Sequence, residues 1–107
     1  MNTRLCALAE LTPDIPLRVE LAELDVAVVL VGDEVFAIED VCSHAEVPLT
    51  DGEVDGCTIE CVLHGSRFDL RTGKPTGPPA TQPVPVFATT VVDGEVYADL
   101  DAPIETA

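Results

Sequence analysis

The sequence predicts an all-β fold, an antiparallel barrel or sandwich, with a turn-rich segment inserted into it. Three observations predict this. Apolar residues come in short runs that alternate with polar ones or are rich in β-branched side chains. Two junctions between such runs are Gly32-Asp33 and Asp93-Gly94, pairs suited to two-residue hairpin turns. Nine prolines, spread from Pro13 to Pro103, leave no room for a long helix.

Taken in order, Cys6 falls in a first strand as a small buried hydrophobe. Residues 7–11 have room for one short helical turn at most. Over residues 17–21, Leu17, Val19 and Leu21 share one face while Arg18 and Glu20 take the other. Residues 25–31 form an almost unbroken apolar run, the pattern of a strand buried on both faces. Gly32-Asp33 then turns the chain into residues 35–38. The pattern returns late, as a strand over 84–92, the Asp93-Gly94 turn and a strand over 95–100. Residues 102–107 read as a loose tail.

The middle of the chain differs. From residue 40 to about 82, polar turns such as Thr50-Asp51-Gly52, Asp55-Gly56, Thr72-Gly73-Lys74-Pro75 and Gly77-Pro78-Pro79 interrupt every apolar run. A structureless insert of that length is costly inside a compact domain, so something must organise it.

Size and charge narrow the function classes. At 107 residues the chain is one domain. Its 47% hydrophobic and 23% charged composition excludes a disordered polymer. Aromatic residues make up only 4%, so the core must rest on Val, Leu, Ile and Ala. The formal net charge of −15 repels phosphate backbones and anionic headgroups, which excludes nucleic acid and membrane surfaces as partners. It favours a basic protein surface, or serves solubility alone. The longest apolar run, residues 26–31, is far below the ~20 residues of a membrane span. With no targeting segment visible at the start, the expected location is cytoplasmic.

In that compartment the four cysteines, Cys6, Cys42, Cys57 and Cys61, are not expected to form a disulfide framework. Both histidines sit beside cysteines, in Cys42-Ser43-His44 and Cys61-Val62-Leu63-His64. The two motifs together make a Cys2His2 set. Structural zinc takes such a set in tetrahedral geometry, usually in the order Cys, Cys, His, His. A [2Fe–2S] centre can also take two Cys on one iron and two His on the other. Here each motif supplies one Cys and one His, so each loop can span both irons of a two-metal cluster. Cys57 reads as a packing residue at a strand start, or as a spare thiol.

Cys42-Ser43-His44 and the stretch from Cys61 through His64-Gly65-Ser66-Arg67-Phe68-Asp69 resemble the two cluster-binding loops of the Rieske family. The stretch from Thr72 to Ala80 is similar to that family's proline-rich loop. Chain length and flanking strands resemble the small Rieske ferredoxins of bacterial ring-hydroxylating dioxygenase systems. The resemblance implies a Rieske-type [2Fe–2S] cluster held by Cys42, His44, Cys61 and His64. It implies a β base, residues 1–39 and 81–107, carrying a cluster-binding subdomain at about 40–80. It also implies a one-electron carrier that passes electrons from a flavin-dependent reductase to a terminal oxygenase; for a soluble carrier of this kind a monomer is expected.

The respiratory members of the family carry an extra Cys in each loop. The matching positions here are Val47 and Leu63, so no bridge can tie the loops. Those members also place a Tyr where this chain has Phe68, while Ser66 is retained. Hydrogen bonds to cluster sulfur favour the reduced, more negative state, so losing a hydroxyl lowers the potential. Between residues 19 and 66 there are twelve acids and no Lys or Arg, which acts in the same direction. The expected potential is near the bottom of the Rieske range, about −150 mV. Arg67, Arg71 and Lys74 partly offset the acids, as surface charges or in local pairs with Asp69.

No enzyme active site can be assembled. Both histidines are used, and a mononuclear iron would need two more with a carboxylate. No glycine-rich phosphate loop occurs. Three readings remain open: the dioxygenase ferredoxin; a Rieske protein of another pathway, such as cluster assembly, or a nitrite-reductase small-subunit-like protein; and a zinc-stabilised binding module.

Overall fold

The computed structural model describes residues 2–22, 24–41, 47–61, 67–76 and 83–100. Ten strands form three antiparallel sheets, with no α-helix among the described residues. The strands are β1 (Asn2–Ala7), β2 (Leu17–Glu20), β3 (Asp25–Val31), β4 (Glu34–Glu39), β5 (Val54–Asp55), β6 (Thr58–Glu60), β7 (Arg67–Asp69), β8 (Val86–Phe87), β9 (Thr89–Val92) and β10 (Glu95–Asp99). One sheet has the order β1-β10-β9, the second β2-β3-β4-β8 and the third β5-β6-β7. They stack as a sandwich and do not close into a barrel.

The second sheet is the middle layer, and β3 shows why. Val26 and Val28 point to one side and pack with Phe87 of the same sheet and with Leu5, Cys6, Leu11, Val96 and Ala98 of the β1-β10-β9 layer and its connections. Ala27 and Val29 point to the other side and pack with Ile38, Ile59, Phe68, Leu70 and Val86. All four β3 residues are fully buried. Successive side chains of a strand alternate between faces, so a strand covered on both sides must be apolar throughout. The unbroken run over 25–31 is therefore the signature of this middle position.

Both hairpins form with the expected turns. Val31 pairs with Glu34 across Gly32-Asp33, and Val92 pairs with Glu95 across Asp93-Gly94. Asp93 and Gly94 have φ of 51° and 77°, the left-handed values that a type I′ turn requires at both central positions. The helical turn expected over 7–11 is a single 3₁₀ turn at Leu8–Glu10, where the Glu10 carboxylate accepts the Ala7 N–H at 2.7 Å. Cys6 is buried in β1, as expected. A register shift between Arg4 and Cys6 lets Leu5 and Cys6 both face inward.

The strand expected over 84–92 is two strands in two sheets. Pro83 and Pro85 lack donors, so only Val86–Phe87 joins the middle sheet, against Ala37 and Ile38. Ala88 belongs to neither strand, and its carbonyl accepts the Asp99 N–H at 3.3 Å. The chain then enters the β1-β10-β9 layer, where the Thr89 hydroxyl still donates to the Val35 carbonyl at 2.7 Å. A strand that changes sheets in this way turns a corner of the sandwich. The expected tail at 102–107 lies outside the described residues.

The turn-rich middle also has its own sheet. Val54–Asp55 pairs with Thr58–Ile59 across Gly56-Cys57, and β7 pairs along β6 from Thr58↔Asp69 to Glu60↔Arg67. Cys57 is therefore a partly exposed turn residue one position before the strand, not a strand-start packing residue. Its carbonyl accepts the Leu70 N–H at 2.7 Å.

Gly73 ties this segment to the middle sheet. Its φ is +77°, its N–H donates to the Asp69 carbonyl at 2.6 Å, and its carbonyl accepts the Val84 N–H at 2.8 Å. A Cβ here would overlap the Val84 carbonyl, whereas one on Gly94, also at φ +77°, would meet only open space. Gly94→Ala should cost the roughly 1–2 kcal/mol of a left-handed alanine. Gly73→Ala should cost more, because the overlap adds to that strain. Denaturant midpoints of the two variants test this, and equal midpoints would refute the overlap argument.

Candidate metal centre

Cys61 leaves the end of β6 and is buried, with 1% of its surface exposed and no disulfide. It packs in the apolar cluster that holds Leu49, Ile59, Phe68, Leu70 and Val84, with Val47 against its rim. Cys42, His44 and His64 lie outside the described residues, as do Leu63, Gly65, Ser66 and residues 77–82. Among the described residues alone, no three potential ligands come together. What the structure supplies is the frame on either side of each motif.

That frame converges. Val47 and Leu49 follow the first motif, Cys61 opens the second, Phe68 follows it, and Val84 follows the proline-rich stretch. All five belong to one apolar cluster. A buried thiolate without a partner would be costly there, whereas a thiolate bound to a metal is not. The donor set of two soft thiolates and two imidazoles, with Cys61 seated in a dry site, fits an iron–sulfur cluster.

Polar contacts close the base of each motif. Asp40, two residues before Cys42, is the buried charged residue among the described ones. The Thr50 N–H donates to its Oδ1 at 2.8 Å, and the Thr50 hydroxyl donates to its Oδ2 at 2.7 Å. Arg18 Nε stands 3.6 Å from the same Oδ2 and forms its shorter pair with Asp25, at 2.6 Å. The hydrogen bond to Asp25 raises the Arg18 guanidinium above its ordinary value. The second motif lies between Glu60 and Arg67, which are cross-strand partners and form an ion pair at 2.7 Å. Arg67 therefore pairs with Glu60, and more distantly with Asp55 at 3.6 Å, not with Asp69. Asp69 instead accepts the Arg71 backbone N–H at 2.8 Å.

Sequence reasoning missed Asp40, Thr50 and Glu60. Nothing in sequence separates Asp40 from the other nineteen acids. The Glu60–Arg67 pair could have been found by placing the two residues across a hairpin. Cys6 is remote in role: burial first, then Glu10, pushes its thiol above the ordinary value, which leaves it protonated and inert.

Residues 2–88 match the model of the Rieske [2Fe–2S] domain. The chain belongs to the Rieske [2Fe–2S] domain family. It is 44% identical over 95 residues to the anthranilate 1,2-dioxygenase ferredoxin subunit of Burkholderia cepacia, covering 88% of this chain and 87% of that one. The Sphingomonas yanoikuyae B1 ferredoxin superposes with a TM-score of 0.88 at 36% identity, covering 92% of this chain and 98% of that one. A chain in the complex of reduced oxygenase and oxidised ferredoxin of carbazole 1,9a-dioxygenase superposes at 0.86 with 39% identity, covering 91% of each.

As a Rieske protein the chain takes a [2Fe–2S] cluster, and the zinc-module reading falls. The relatives it matches over nearly their whole length, such as these, are ferredoxin components and not catalytic subunits, so it is a carrier of electrons. Phe68 is fully buried in the same apolar cluster as Cys61. Phe68→Tyr would bring a hydroxyl donor into that cluster, and the reduction potential should rise as the hydroxyl finds sulfur. A redox titration giving the unchanged midpoint would remove Phe68 from the tuning of the potential.

Proposed function

We infer that this chain carries single electrons from a flavin-dependent reductase to a terminal ring-hydroxylating oxygenase. The observation that carries this reading is the likeness, at 39% identity, to a chain solved in the complex of an oxygenase and its ferredoxin. Cys42, His44, Cys61 and His64 would hold the [2Fe–2S] cluster, the two thiolates serving one iron and the two imidazoles the other. Bound there, the cluster supplies a one-electron couple. The cluster-binding subdomain runs over about residues 40–80 and the base over 1–39 and 81–107. The separate β5-β6-β7 sheet, packed on one face of the middle layer, supports that division.

The protein's own part is seating, insulation and docking. The apolar cluster around Cys61 keeps water from one side of the site. The β1-β10-β9 layer covers the opposite face of the middle sheet, which leaves the β5-β6-β7 end as the exit for electrons. The charge of −15 steers the carrier to basic surfaces on both partners and disfavours self-association, so it works as a monomer.

His64→Ala should abolish the rhombic EPR signal of the reduced protein and its visible spectrum. A variant that kept its full iron and both spectra would overturn the ligand assignment. In the wild type that EPR signal should appear at a low midpoint. Electron transfer to an oxygenase should slow steeply as ionic strength rises. A salt-independent rate would remove the charge-steering part of the reading.

A further inference from the structure

We propose that Asp40 is a positioning residue for the Cys42–His44 motif, acting through Thr50. The proposal rests on the reading that Cys42 and His44 are cluster ligands. Asp40 ends the β4 side of the motif and Thr50 lies in the 3₁₀ turn at Leu49–Asp51 on its far side. Two hydrogen bonds, at 2.8 and 2.7 Å, tie these two points together across residues 41–49. A carboxylate suits the task because it has acceptors only, and Thr50 presents two donors to it in a fixed fork.

The burial of Asp40 argues for a specific role. Its side chain is wholly enclosed, whereas that of Arg18, its nearest cation, is 40% exposed and engaged first with Asp25. A buried carboxylate whose counter-ion is shared with Asp25 leans on its hydrogen bonds. The Asp40 N–H also donates to the Asp25 carbonyl at 2.9 Å, which fixes the carboxylate to the end of β3. The contact thus transmits the rigidity of the middle sheet to both ends of the first motif. Leu49, fully buried beside Thr50, seats that turn in the cluster that holds Cys61. Asp40 therefore ties both flanks of the first motif to the middle sheet and to the cluster that holds Cys61.

The test uses purified holoprotein, with iron release to a ferrous chelator after reduction, the EPR g-values and the thermal midpoint measured in parallel. Asp40→Ala removes both bonds, and Thr50→Val removes the hydroxyl bond alone. Iron release should accelerate at least tenfold in Asp40→Ala and severalfold in Thr50→Val, with shifted g-values in both. Thr50→Ser, which keeps the hydroxyl, should restore the wild-type rate and spectrum. If Asp40→Ala fails to accumulate, the Thr50 pair decides the matter. A lower thermal midpoint with wild-type iron release and g-values would overturn the proposal and leave Asp40 a fold residue only. His44→Ala, run alongside, separates the underlying reading. If that variant keeps the full EPR signal, the ligand assignment fails, whatever Asp40 does.

Discussion

The contact between one face of the β3–β4 hairpin and the small β5-β6-β7 sheet is what the rest of the molecule depends on. Strands of two and three residues cannot stand alone in water, since an isolated short hairpin is marginal. They persist here because Ile59, Phe68 and Leu70 bury themselves against Ala27, Val29 and Ile38. At roughly 1.5–3 kcal/mol for each large apolar side chain enclosed, those three outweigh the few ladder hydrogen bonds of so short a sheet. Cys61 lies inside that contact, so whatever seats the small sheet also seats the thiol.

Charge plays a different part from packing. Arg4, Arg18 and Arg67 are each held in a short ion pair, with Glu95, Asp25 and Glu60. Exposed pairs of this kind add little to stability. They do neutralise the cations locally, so the acids left over dominate the field at longer range. Around the cluster that field opposes an incoming electron. At the surface it would favour basic partners. One excess of carboxylates would act on both the potential and the encounter with basic partners, through the same long-range field.

The base of the molecule was largely legible in the sequence. The run over 25–31 announced a strand covered on both faces, and Asp93-Gly94 announced its turn, because each depends on a local rule. The corner at Ala88 was not legible, since periodicity over 84–92 continues through the change of sheet and only Pro83 and Pro85 hint at a break. The β5–β6 hairpin was hidden because its strands are too short to show alternation. At the candidate centre the Cys/His spacing offered two candidate motifs but not the residues that flank and support them. Asp40 and Thr50 meet across ten residues of chain, and one acid among twenty carries no mark of burial.

The two faces of the middle sheet divide the protein's tasks. The cluster of Leu5, Val26, Val28, Phe87 and Val96 holds none of the described residues that flank the two motifs, so changes there act on the stability of the base. The cluster of Ala27, Ile38, Leu49, Phe68 and Val84 supports the flanks of both motifs, so a change of volume there moves the thiol as well as the fold. Close-packed interiors transmit such shifts because they hold few voids to absorb them. The second cluster is therefore answerable to redox chemistry as well as to packing. That double constraint accounts for the polar closure at Asp40. Apolar contacts tolerate small slips with little loss, whereas two hydrogen bonds to one carboxylate lose their geometry within a fraction of an ångström. Where loops on separate stretches of chain must meet at one metal centre, directional bonds set the register that burial alone leaves loose.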